Sequence, residues 1–145
     1  MKTTKADFPA FFEAYLVAAL WSSTITEGSE ENPGEREGEP FDKHFSTSDF
    51  SDDALEVLRA HAFSFWCRMW FYIDHETGRP NGRDLGPEQA GHDFWLTQNH
   101  HGAGFWDGDG STYGEQFTKL AKCYPEINLY IETDPDSDTE KVGLA

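Results

Sequence analysis

The residues most able to do chemistry crowd into one stretch: His92, Asp93, Asn99, His100, His101, Asp107 and Asp109. Imidazoles and carboxylates are common ligands of divalent metals and common acid–base partners. A metal site or a metal-dependent enzyme built from His92, Asp93, His101 and Asp107 is therefore one reading. The spacing argues against it. If 92–107 is a β-hairpin, His92 and Asp107 lie at its open end and His100 and His101 at its turn. About seven strand residues, or roughly 23 Å, then separate the two groups. Adjacent side chains in extended chain also point apart, so His100 and His101 do not converge. Asn99 and a histidine are accounted for as turn residues that hydrogen-bond to backbone. No catalytic residue, metal or cofactor is expected.

Other chemistry finds less support. Asp107-Gly108-Asp109-Gly110-Ser111 starts like a calcium loop, but that loop needs Gly at its sixth position and Glu at its twelfth. Thr112 and Thr118 stand there. The run Asp134, Asp136, Asp138, Glu140 also lacks the glycine that makes the sharp bend. The chain has no GxSxG, no phosphate-binding GxxxxGK and no GxGxxG between a strand and a helix. Its two cysteines, Cys67 and Cys123, form no CxxC pair and fall in apolar helical patterns, so both are expected in the core as reduced thiols.

Charge is the more informative property. The 145 residues carry 27 acids against 11 bases, a net charge of −16. Such a chain repels phosphate backbones and anionic membrane, and attracts basic proteins. Its 22 aromatic residues argue against disorder throughout. Trp21, Trp66, Trp70, Trp95 and Trp106 could line a groove, but aromatics at helical spacing are core residues first. Trp95 is the exception, because a strand at 92–97 would turn it away from Phe94 and Leu96, either onto a second covered face or outward as a binding anchor. No run of about 18 apolar residues and no export signal are visible.

The elements that must position these groups suggest an α+β domain spanning 1–145. Phe8, Phe12, Tyr15, Leu16, Ala19 and Leu20 predict a helix over 7–21, with Asp7 as its cap. Residues 23–46 read as a mobile acidic loop, rich in Glu, Gly and Pro, whose far end Phe41 and Phe45 dock. Ser51 caps a second helix over 51–73, where Leu55, Leu58, Ala62, Phe65, Trp66, Met69 and Ile73 keep helical spacing. Phe63, Trp70 and Phe71 widen that helix's apolar face, as if it were covered on two sides. Residues 74–91 read as connecting loop, 92–107 as a hairpin with Gly104, Phe105 and Trp106 on its returning strand, and 113–123 as a helix. Alternating Ile127, Leu129 and Ile131 predict a strand over 127–132, completing a mostly antiparallel three-stranded sheet on two or three helices. From Thr133 the acidic tail is expected to fray.

The string Ala90-Gly91-His92-Asp93-Phe94-Trp95-Leu96-Thr97, then Asn99, then His101-Gly102-Ala103-Gly104-Phe105-Trp106-Asp107, resembles small acidic proteins of bacteriophages and prophages that have no assigned activity. The likeness extends to Tyr15–Ser22 and to 117–131. That group usually carries Arg where Gln98 stands, Gly where His100 stands and Arg where Gly108 stands. The resemblance implies a phage protein at work in the host cytoplasm.

Together these observations suggest a non-catalytic accessory protein that binds a basic host protein, such as a nuclease or a CRISPR or restriction component, as a DNA mimic. A virion-associated structural protein is the other reading that a phage origin allows. A magnitude limits the mimicry. An even spread puts one acid on about 280 Å² of a surface on the order of 7,500 Å². Duplex DNA carries about one charge per 105 Å². Mimicry therefore needs clustering on one face. The candidates are Glu27, Glu30, Glu31, Glu35, Glu37 and Glu39 together with Glu132, Asp134, Asp136 and Asp138, with Trp95 as an apolar anchor.

Overall fold

The computed structural model describes residues 8–76, 87–101 and 114–145, the side chains of 70–76 and 114–116 aside. It is α+β, with four helices, α1 (Phe8–Ser22), α2 (Asp52–Glu76), α3 (Pro87–Gln98) and α4 (Gly114–Ala121), and an antiparallel pair, β1 (Leu129–Thr133) and β2 (Glu140–Leu144). Two short 3-10 turns, Phe41–Lys43 and Thr47–Asp49, lead into α2. The Ser51 hydroxyl accepts the Ala54 N–H at 3.1 Å, so it caps α2 as its sequence position indicates. Asp7, the cap expected for α1, lies outside the described residues.

The sheet has two strands among the described residues, not three. The expected outgoing strand of the 92–107 hairpin is helical, because α3 runs from Pro87 to Gln98. Pro87 supplies the first helical position, where a missing N–H costs nothing. The two-residue alternation misled because α3 is enclosed: Asp93, Phe94, Trp95, Leu96, Thr97 and Gln98 are all buried in succession. A helix covered on every side shows no helical stripe. The proposed returning strand, with Gly104, Phe105 and Trp106, lies outside the described residues.

α3 is also the centre of the core. It packs most extensively on α1, and Gly91 is what lets the two helices approach. A methyl group there would collide with the Phe11 carbonyl oxygen and stand 3.2 Å from the Tyr15 nitrogen. Phe94 stacks on Phe65 of α2 with ring centroids 4.0 Å apart. Buried Tyr15 donates its hydroxyl proton to Gln98 Oε1 at 2.6 Å, and Gln98 Nε2 donates to the Pro125 carbonyl at 3.0 Å. Burial raises the Tyr15 pKa and lowers that of His61, whose ring stands beside Gln98.

Three further expectations are corrected. Cys67 and Cys123 are both exposed, not in the core. Phe63, four residues before Cys67, is 53% exposed, because Leu58, Ala62, Phe65, Trp66 and Met69 turn the opposite side of α2 inward. The chain does not fray from Thr133: Glu140–Leu144 returns as β2. Fully buried Val142 anchors that strand, and its carbonyl accepts the Ser51 N–H at 2.9 Å.

Candidate functional site

The acidic segment 23–46 folds back on itself. The Ile25 N–H donates to the Glu39 carbonyl and the Gly38 N–H to the Ile25 carbonyl, both at 2.8 Å. Gly28 and Gly38 take φ of 77° and 81°, the left-handed region that glycine enters without strain. Ile25, Phe41 and Phe45 are buried, so the segment is docked at both ends. Glu30, Glu31, Glu35 and Glu37 remain exposed, while Glu27 and Glu39 are half-buried.

The second acidic segment is the β1–β2 hairpin. Its tip is a turn in which the Asp134 N–H donates to the Thr139 carbonyl at 2.9 Å and the Asp136 N–H to Asp134 Oδ1 at 2.9 Å. Glu132, Asp134, Asp136 and Asp138 are exposed.

Arg36 joins the two segments. Its guanidinium donates to Glu140 Oε1 and Oε2, both at 2.9 Å, and to Glu27 Oε1 at 2.6 Å. Its backbone N–H donates to Glu27 Oε2 at 3.0 Å. These bonds hold the Glu27 and Glu140 carboxyls below their ordinary values and raise that of Arg36. Lys43 and His44 both pair with Glu39 and lower its pKa, the Lys43 bond contributing most. Residues 27–44 and 132–141 hold twelve acids against three bases, leaving nine of the sixteen excess negative charges in 28 of the 145 residues. The sequence reading missed Arg36. Its signal was that of a single arginine inside a run of six glutamates.

Trp95 belongs to neither segment and is no exposed anchor. It is 1% exposed, and its Nε1–H donates to Ser22 Oγ at 2.8 Å. A helical backbone points it into the core beside Phe94 and Leu96, where a strand would have turned it to the opposite face from them.

The histidine-rich stretch does not converge. Asp93 is buried and accepts from Gln89 Nε2 at 2.8 Å, with His92 Nδ1 at 3.3 Å. The His92 ring stacks on Trp21 at 5.4 Å. His101 follows the other end of α3, about 13 Å further along the helix axis. His100 pairs with Glu126 at 3.2 Å. Asp107 and Asp109 lie outside the described residues. Among the described residues, no three His, Cys, Asp or Glu side chains are grouped to hold a metal ion.

No protein-family model, curated protein or solved structure matches this chain. Among the described residues, no helix is long and apolar enough to cross a membrane.

Proposed function

We propose that this chain is a non-catalytic accessory protein of phage type that binds a basic surface on a host protein in the cytoplasm, as a DNA mimic directed at a defence or nucleic-acid-handling system. The observation that carries the reading is the bidentate Arg36–Glu140 contact. It ties the two most acidic segments together at one point, which supports the clustering that mimicry needs. Arg36 offsets part of the charge of Glu27 and Glu140. Glu30, Glu31, Glu35, Glu132, Asp134, Asp136 and Asp138 stay exposed within those two segments. A surface of this sign disfavours direct contact with nucleic acid and favours lysine- and arginine-rich protein surfaces. The phage origin rests on the motif around α3, and most of that motif's described residues are buried packing residues rather than a binding surface.

The test is capture from host lysate on the tagged protein at low salt, repeated at high salt and with duplex DNA as competitor. A nucleic-acid-binding protein that is retained at low salt, released by salt and displaced by DNA is the expected result. Retention of no basic protein, or retention indifferent to salt and DNA, overturns the proposal.

A further inference from the structure

β1 has an open edge whose backbone groups point outward. The Ala145 N–H donates to the Asn128 carbonyl and the Asp134 N–H to the Thr139 carbonyl, each at 2.9 Å. With the register Tyr130 to Gly143 and Glu132 to Lys141, these bonds place 128, 130, 132 and 134 in the hydrogen-bonded pairs. Antiparallel alternation then turns the N–H and C=O groups of Leu129, Ile131 and Thr133 away from β2. Val142 of β2 shows the same rule on the other side, where its carbonyl meets the Ser51 N–H. That contact covers the β2 edge at Val142. Among the described residues no strand pairs with the outer edge of β1. A cleft of about 390 Å³ opens where this edge begins, lined in part by Thr24, Thr26, Ile127, Asn128 and Leu129.

We propose that the outer edge of β1 takes up an extended, basic segment of the partner protein by strand addition. This rests on the reading of the chain as a binder of basic surfaces, and specifies how that surface is gripped. The backbone of an added strand pairs with Leu129, Ile131 and Thr133. Its lysines or arginines at alternate positions face Glu132 and the 43%-exposed ring of Tyr130. Beyond Thr133 the edge runs into Asp134, Asp136 and Asp138. The same charges argue against a second copy of the chain as occupant, since that pairing brings together two acidic edges on two molecules of net charge −16.

The experiment uses the full chain, isotopically labelled, with two short peptides of alternating lysine and valine. One is unmodified; the other is N-methylated at every valine, which keeps the charge and removes one edge of backbone donors. The unmodified peptide is expected to bind at low salt and slow amide exchange at Leu129, Ile131 and Thr133. The methylated peptide is expected to bind about tenfold more weakly or worse, as lost backbone hydrogen bonds require. Thr133→Pro removes one outward N–H and leaves the ladder to β2 intact. It should weaken the unmodified peptide while retaining the wild-type circular dichroism spectrum. If Thr133→Pro unfolds the chain, the peptide pair alone decides. Equal binding of both peptides without amide protection overturns strand addition and leaves the acidic-surface reading standing. Failure of both peptides to bind overturns the two together. Protection of the same amides in peptide-free protein that sediments as a dimer assigns the edge to a second copy and overturns the proposal.

Discussion

Arg36 and Glu140 stand 104 positions apart and meet through two hydrogen bonds of 2.9 Å. The same guanidinium holds Glu27. One cation therefore lets two carboxylates approach that would otherwise repel, and a loop with little apolar surface is tied to a two-stranded hairpin. Planar, bidentate geometry suits arginine to this place better than lysine.

Arg36→Gln should uncouple the two segments and lower the melting temperature by a few degrees at neutral pH, less so at high salt. The pH dependence has a definite sign. Glu27 and Glu140 titrate below their ordinary 4.5 in the folded chain. Their contribution is complete above that value and lost as pH falls through the lowered ones. The melting-temperature gap between wild type and Arg36→Gln should be widest above about pH 5, begin to narrow below 4.5 and close as pH falls through the lowered values. A gap constant with pH would contradict this account.

Gly91→Ala places a methyl group against the Phe11 carbonyl, which is backbone and cannot swing aside. α1 and α3 must separate, at a cost of about 3 kcal/mol. Urea denaturation should show a lower midpoint, whereas Glu88→Ala, exposed in the first turn that precedes the enclosed part of α3, should leave it nearly unchanged.

Tyr15→Phe removes the hydroxyl that donates to Gln98 Oε1 while keeping the ring's packing. Leaving that buried oxygen unpaired should cost about 1–3 kcal/mol. Gln98→Leu strands the Tyr15 hydroxyl and the Pro125 carbonyl together, so it should cost more. Chemical denaturation of the two single variants decides the order.

His100→Gly should stabilise the chain. His100 sits just past α3 with φ of 61°, where the His101 N–H donates to the Leu96 carbonyl at 2.8 Å and the His100 N–H to the Thr97 carbonyl at 3.2 Å. This is a Schellman ending, whose left-handed residue is most often glycine. Relief of about 1–2 kcal/mol of strain outweighs the extra unfolded-state entropy of glycine and an exposed pair with Glu126, leaving a gain of about 0.5 kcal/mol. A thermal melt that falls instead would show that the His100–Glu126 contact matters more than the backbone.

Cysteine placement shows where sequence patterns stop being informative. Cys67 lies within the apolar run of α2, yet the inward side is already filled by Leu58, Ala62, Phe65, Trp66 and Met69, and the thiol is left outside. Apolar character in a run says that some residues are buried, while the neighbours decide which.

Local chemistry was enough to mark α1 and α2, the Ser51 cap, the docking of Phe41 and Phe45 and the first strand of the hairpin. Caps and apolar periods act within a turn or two of chain, so contiguous residues record them. The sum of charge, and its density in 27–44 and 132–141, is likewise written in the residues themselves. Tertiary structure alone decided that α3 is a helix, since enclosure by α1, α2 and the chain around Pro125 erased its period. It alone turned the acidic tail into β2, because Val142 found a buried place and a partner in Ser51. It alone brought Arg36 to Glu140, a contact between distant segments that no local pattern encodes, since its free energy exists only once the intervening chain has packed.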